Sequence, residues 1–492
     1  MKLNGIKWSE RPDMRERRVD LLVCALAATV LLTLCSMCSP LYPLNIWVDP
    51  NCLMTVGRAM KHGSVLYRDI YEQKGPLIYL IHMLAACVTE KSFFGVFLFE
   101  IAAWTATLYA ACRMIAQRTG AWMARSGAVL FAGVAIVGRS FVRGDTAEEF
   151  CLPFLMAALA LFFRHTERED GPMSLKEMFL CGLLAGFVAT IKYTVLGLFL
   201  GLCATQAVLC IGRQGGLRRL MASAGVFLAG MVIPVLPWLV YFAVNGALSD
   251  AYLAYIYNNI FLYSADTGVG LYMTLKLAAR GNFYWAVLAA IGVISTLIKG
   301  RWSERIGVTL MSLCALASVF LLKIIHAYYP LALCVFAPLG LRAVLPWVER
   351  HVPHTKVVQA VLCAASLAVA VFCSPNAFLR GVPLSQTAQG RLAAQIEPGA
   401  TLLEYSFLDE GLYLITGTLP QEKFFVRLNV AYQPMRDALD DAVRSRRPDY
   451  VLMAWGELPS EFDGYELYTM DLAYDDTNNL NKPLYLYKRK AE

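Results

Sequence analysis

The chain has 492 residues, of which 58% are hydrophobic and only 16% charged, and its mean hydropathy is +0.50. Soluble proteins carry about 25% charged residues, so the composition excludes a soluble enzyme, a disordered chain and a fibrous repeat, and implies a protein with several membrane spans. The net charge of +7 is uneven: residues 375–492 carry −5 and the first 374 carry +12. No nucleic-acid partner follows, because the basic residues form short clusters between apolar runs, where they set topology.

The N-terminus offers a basic flank, Arg11–Arg18, then an apolar run from Leu21 to Ser39. Nineteen apolar residues suit a span better than the core of a cleaved signal. The reading is an uncleaved first helix with a cytoplasmic basic flank, residues 1–19. Further apolar runs lie near 93–112, 126–138, 150–163, 178–211, 220–244, 283–298, 306–323, 328–346 and 357–374. The run Met178–Ile211 would be about 51 Å long as one helix at ~1.5 Å per residue, against a hydrocarbon core about 30 Å thick. It is predicted to break at Lys192–Tyr193 into two spans, giving about eleven spans over residues 20–374.

An odd number puts the termini on opposite sides. With the N-terminus inside, the cytoplasmic segments hold 21 Lys and Arg and the outer segments 11, as the positive-inside rule requires. The short apolar piece Leu77–Val88 is expected to be re-entrant or interfacial on the outer side.

Two outer segments are long. Tyr42–Ser92 opens with Asp49-Pro50 at the head of an amphipathic stretch reaching Gly63, followed by a turn at Tyr67-Arg68-Asp69. Asn245–Asn282 carries Tyr252, Tyr255, Tyr257, Tyr263 and Tyr272, in keeping with interfacial anchors. Residues 375–492 are predicted to form a small α/β domain outside the cell. Its expected strands are Thr401–Phe407, Lys423–Leu428, Tyr450–Trp455, Tyr465–Leu472 and Pro483–Tyr487. Its expected helix, Gln433–Arg447, has Pro434 near its start and is stopped by Pro448. All fourteen cysteines lie at or before Cys373, without metal-ligand spacing, and read as small residues packed between helices.

Ionisable residues are costly near spans, about 2.5–3.5 kcal/mol at a helix centre, so those that topology does not require are candidates for chemistry. Asp49 follows the first span. It suits both a helix N-cap ahead of Pro50 and a general base for an incoming hydroxyl, and one carboxylate can serve both. Asp145, Glu148 and Glu149, with Arg139 and Arg143 beside them, suit a substrate or metal pocket, or a solvated loop with surface ion pairs. Lys74 stands before the turn Gly75-Pro76, placed either to pair with a lipid phosphate or to snorkel. Lys192 sits at the tip of an outer hairpin, against the charge rule. Lys323, His326, Tyr328 and Tyr329 crowd another short outer turn; His326 alone reads as structural.

Taken in order, Asp49, the stretch Gly57–Asp69 (GRAMKHGSVLYRD), Lys74–Tyr79 (KGPLIY), the acids Asp145–Glu149, Ile191–Thr194 (IKYT) and His326–Leu333 (HAYYPLAL) form a pattern. It resembles the polyprenyl-phosphate-sugar-dependent membrane glycosyltransferases of the GT-C fold, glycosyltransferase family 39. That family includes protein O-mannosyltransferases and lipid A aminoarabinose transferases. The chain departs from it at Gly75, where the family pairs two prolines, and at Pro50, where an acid usually follows the aspartate. The resemblance implies a GT-C-like transmembrane catalytic domain over 20–374 in the plasma membrane. It implies a polyprenyl-phosphate-sugar donor, a lipid, glycan or protein acceptor, and inverting displacement.

By that likeness Asp49, Asp145, Glu148 and Glu149 are catalytic candidates. Lys74, Lys192 and Arg58 are candidates for the donor phosphate, and Tyr67, Arg68, Asp69, His326, Tyr328 and Tyr329 for substrate contacts. No cofactor is assigned; Glu148, Glu149 and Asp49 are the carboxylates that could take a divalent cation. A lipid or polymer flippase and a non-catalytic wall-assembly protein are the competing readings, but charges gathered at helix ends and the lack of internal symmetry do not suit a transporter.

Overall fold

Apolar runs with no water to satisfy their backbone must close their own hydrogen bonds, and the described residues before 375 are accordingly mostly helix. The structure, a computed structural model, describes residues 13–212, 216–263, 271–321, 326–475 and 480–491. Lys323 and the start of the basic N-terminal flank at Arg11 lie outside the described residues.

The first nine long helices are α1 (Met14–Cys35), α2 (Val48–Lys61), α3 (Pro76–Val88), α4 (Phe94–Ile115), α5 (Ala121–Ile136), α6 (Ala147–Arg168), α7 (Leu175–Ile191), α8 (Gly197–Gly212) and α9 (Gly216–Val244). Helices Phe283–Lys299, Trp302–Phe320, Ala337–His351 and Thr355–Cys373 follow. The long run Met178–Ile211 does break at Lys192, which ends α7 ahead of a short 3-10 turn, Tyr193–Val195.

Among the described residues six helices are long and apolar enough to cross a membrane: α1, α4, α9, Trp302–Phe320, Tyr329–His351 and Thr355–Cys373. A seventh is added if Leu271–Gly281 and Phe283–Lys299, bent by 102°, form one broken span. The chain is a multi-pass membrane protein. The expected eleven also counted runs that fold as shorter helices, such as α5 and α8.

The chain divides into two compact units. The first combines Met1–Cys35, Glu100–Leu236 and Gly268–Ala377. Here α1 and Thr355–Cys373 pack on α5, α6 packs on α7, and α8 packs on Trp302–Phe320. Gly182 and Gly186, four apart on α7, let α9 come close: a Cβ on Gly182 would lie 1.9 Å from the Phe227 carbonyl oxygen, the small-residue contact expected between membrane helices. Buried Asp20 on α1 ties down Arg113 of α4 and Arg125 of α5, each at 2.8 Å.

The second unit combines Ser36–Phe99, Pro237–Thr267 and Phe378–Glu492. α2 packs on α3, closely enough that a Cβ on Gly57 would lie 2.5 Å from the His82 carbonyl carbon. The short apolar piece forms α3, only 13 residues long. The tyrosine-rich segment holds a π-helix, Tyr252–Leu262, which hydropathy cannot anticipate; Tyr252 and Tyr257 are exposed on it, as interfacial anchors are.

The C-terminal part carries a four-stranded sheet among the described residues: β1 (Leu402–Glu404), β2 (Tyr450–Ala454), β3 (Tyr465–Asp475) and β4 (Leu480–Arg489), in the order β1-β2-β4-β3. β1 and β2 are parallel, the other pairs antiparallel. Helix Gln433–Arg444 ends ahead of Pro448. The predicted strand Lys423–Leu428 is not one. Its carbonyls serve isolated donors instead, Lys423 the backbone N–H of Tyr71 and Phe425 the hydroxyl of Tyr413, so no ladder forms.

Candidate active site

In the second unit the candidate chemistry begins at the start of α2. Asp49 is not the N-cap the sequence suggested. Trp47 occupies that position and makes no side-chain cap, and Asp49 stands inside the first turn. Its carboxylate instead faces Lys74, with Oδ2 3.9 Å from Nζ. Both side chains are mostly buried, 13% and 14% exposed.

Lys74 is held on several sides. Its backbone N–H donates to Glu72 Oε2 and to the Tyr79 hydroxyl, both at 3.0 Å. The Tyr67 hydroxyl donates to its carbonyl at 2.5 Å, and Nζ reaches Glu72 Oε1 at 3.3 Å. Glu72 is itself 1% exposed. Burial pushes the Lys74 ammonium toward the neutral form, but the Asp49 and Glu72 carboxylates outweigh it and hold its pKa above the ordinary lysine value. Glu72 was not singled out from the sequence; an acid two residues before a lysine is too common a pattern to stand out.

The other residues expected nearby shape the backbone. Tyr67 is fully buried with φ +65°. Asp69 accepts from the Val65 N–H and pairs with Arg68, which also donates to the Asn245 carbonyl. Together they form the turn leading to Lys74. The π-helix braces the same segment: Asn258 Nδ2 donates to the Tyr71 hydroxyl and Asn259 Nδ2 to the Gln73 carbonyl. Arg58, expected on a phosphate, is 1% exposed and donates to the carbonyls of Tyr413, Gly417 and Thr418. Three carbonyl oxygens of the C-terminal domain thus surround the guanidinium, and Glu90 lies 3.9 Å from its Nε.

In the first unit Lys192 caps the end of α7 and pairs with Glu148 at 2.6 Å. Its ammonium lies 3.9 Å from the ring centre of Tyr329 and 5.0 Å from that of Tyr328, a cation–π arrangement. His326 stacks on Tyr328 at 5.4 Å. Glu148, Lys192, His326, Tyr328 and Tyr329 are therefore one cluster, assembled from three separate stretches.

The neighbouring acids have other work. Glu149 closes a capping box with Thr146 at the head of α6 and accepts from the Trp104 indole at 2.6 Å and the Asp145 N–H at 2.8 Å. Asp145 is fully buried, with φ +61°. Arg143 donates to Asn376 and to the Pro375 carbonyl. Glu149 thus caps α6, whose first N–H groups need acceptors. Among the described residues no three His, Cys, Asp or Glu side chains group as a metal site would require.

Comparison with known proteins adds the following. The family model of dolichyl-phosphate-mannose-protein mannosyltransferases matches residues 73–241, about a third of the chain. The match begins after Asp49 and takes in Lys74, Glu148 and Lys192. The fold is similar to that of ArnT from Cupriavidus metallidurans bound to undecaprenyl phosphate, with a TM-score of 0.59 at 13% identity over 95% of this chain and 97% of that one. The apo form of the same protein gives 0.58 at 15% identity with the same coverage. A search of curated proteins finds no sequence that matches.

Proposed function

We propose that this chain, a GT-C-fold relative of the glycosyltransferase family 39 enzymes, transfers a sugar from a polyprenyl-phosphate carrier to an acceptor hydroxyl on the outer face of the plasma membrane. The observation that carries the reading is the partly buried Asp49–Lys74 pair, a carboxylate and an ammonium 3.9 Å apart in a segment between spans. Undecaprenyl phosphate in the ArnT structure supports a carrier of the same class.

In this reading Asp49 takes the proton from the acceptor hydroxyl as its oxygen attacks the anomeric carbon. The bond from that carbon to the phosphate oxygen breaks on the opposite face, inverting the centre. The electron pair leaves with the phosphate, whose charge rises from −1 to −2. Lys74 offsets that rise as a preorganised cation. Glu72 fixes the lysine through both its backbone and its ammonium. Lys192, held by Glu148 and the two tyrosine rings, is the first unit's candidate phosphate ligand. The positive-inside count supports a cytoplasmic N-terminus and an extracytoplasmic C-terminal domain. The sugar and the acceptor, whether lipid, glycan or protein, are for experiment to identify.

The test is transfer from radiolabelled polyprenyl-phosphate hexoses and pentoses in nanodiscs, with envelope lipids, glycans and proteins offered as acceptors. Asp49→Asn is expected to lower kcat at least ~100-fold, the scale of general-base catalysis, while undecaprenyl phosphate still binds. Wild-type transfer by Asp49→Asn would remove the base.

A further inference from the structure

The face of α2 beside Asp49 is bound along its length by the C-terminal domain. Residues 51, 52, 55 and 58 share one helical face, and each meets the segment Asp409–Thr418, which joins β1 to the rest of that domain. A Cβ on Gly411, at φ +95°, would lie 3.3 Å from the Asn51 amide. Cys52 Sγ accepts from the Asp409 N–H at 3.4 Å. The Thr55 hydroxyl donates to Asp409 Oδ2 at 2.6 Å. Arg58 donates to the carbonyls of Tyr413 and Gly417 at 2.8 Å and of Thr418 at 3.3 Å.

Asp409 and Thr55 are fully buried and Arg58 is 1% exposed. Asp409 Oδ1 is taken by the Gly411 N–H at 2.7 Å, which fixes the turn that presents its other oxygen to α2. Glu404 and Glu410 brace the same turn: the Glu410 N–H donates to Glu404 Oε2, and Lys482 of β4 pairs with Glu410. The contacts join residues some 350 apart in the chain, yet they end within three helical turns of Asp49. Buried, charge-assisted bonds of this kind are short, directional and strong, and here they all act on one helix.

We infer that the C-terminal domain is a clamp on the helix that carries the proposed base, with Asp409 and Arg58 as positioning residues that hold Asp49 in register with Lys74. The inference rests on the reading of Asp49 as base. It gives the domain a role in the chemical step rather than in shielding the mouth of the site or capturing acceptor. A base misplaced by about 1 Å can cost ~100-fold, so a clamp on its helix acts on kcat and leaves donor affinity alone.

The experiment uses the full-length protein in nanodiscs with a turned-over polyprenyl-phosphate sugar as the probe. Thr55→Val removes the hydroxyl at nearly constant volume, and Thr55→Ser restores it. Asp409→Asn keeps the shape and removes the charge. The expected result is that Thr55→Val and Asp409→Asn lower kcat about tenfold with donor KM within about twofold of wild type. The acid limb of the kcat pH profile moves, and Thr55→Ser recovers both values. Arg58→Lys, which keeps the charge but not the three-carbonyl geometry, is expected to fall in the same way.

A wild-type kcat and pH profile in folded Thr55→Val, with Asp49→Asn inactive, overturns the clamp and spares the base. An active Asp49→Asn overturns the base first. A rise in KM without loss of kcat also overturns the clamp, because it assigns the contacts to binding. Should Asp409→Asn not accumulate, the Thr55 pair decides the matter.

Discussion

Replacing Lys74 by Met tests the electrostatics of the proposed reaction most directly. Two unit charges at 3.9 Å interact by about 4 kcal/mol at an effective dielectric of ~20. The departing phosphate gains one unit of charge, roughly half of it developed at the transition state, so Lys74 is worth about 2 kcal/mol to the rate if it meets the phosphate at that range. That corresponds to about a 30-fold loss of kcat at 1.36 kcal/mol per decade. The same change leaves Glu72 and Asp49 without their shared cation, which destabilises the fold by about 3–5 kcal/mol for a buried pair. Thermal unfolding therefore has to be measured alongside, and Lys74→Arg serves as the charge-preserving control.

Single-turnover transfer from preloaded donor isolates the chemical step, and product inhibition by undecaprenyl phosphate reports phosphate affinity. The raised pKa of Lys74 means that its stabilising contribution is fully present below the ordinary lysine value of about 10.4 and is lost only as pH rises through the higher folded-state value. A basic limb of the rate profile near pH 8 or 9 therefore belongs to another group. A folded Lys74→Met protein with unchanged kcat and unchanged product inhibition would refute the proposed role of this cation.

Three further outcomes are expected. Lys192→Met should weaken inhibition by undecaprenyl phosphate about tenfold; Glu148→Gln, which frees the ammonium from its 2.6 Å partner, should not weaken it, and equal losses in both would make the pair structural. Burial raises the carboxyl pKa of Glu404, and raises that of Asp409 against hydrogen bonds from Thr55 and the Gly411 N–H. Their stabilising contribution is thus complete below the ordinary carboxylate range of about 4 and is lost as pH rises toward the raised values. The melting temperature of full-length protein should fall as pH rises above the ordinary carboxylate range, and Glu404→Gln should flatten that slope; a slope unchanged in Glu404→Gln contradicts the assignment. Trp104→Phe removes the indole donor from buried Glu149 and should destabilise the protein by about 1–3 kcal/mol, read as a shift in thermal unfolding with donor KM unchanged.

Composition and hydropathy are local properties, and what depends on them was legible from the sequence alone. The membrane character, the break at Lys192, the helix beginning beside Asp49, the short α3 and the mixed C-terminal domain all follow from runs of apolar residues and their punctuation by Pro, Gly and charge. The nearness of Asp49 and Lys74 was anticipated only through the family pattern. Tertiary structure decided which charges remain for chemistry. Arg58 and Glu149 look like site residues in a linear reading, yet one is surrounded by carbonyls from residues 413–418 and the other by donors that cap α6. The π-helix and the strand lost at Lys423–Leu428 were likewise invisible, because each is set by partners far away in sequence, and Glu72 went unseen because an acid two residues before a lysine is a common local pattern. A buried charge takes its role from the groups that surround it, and in this chain many of those groups, such as the carbonyls on Arg58 and the indole on Glu149, come from residues tens to hundreds of positions away.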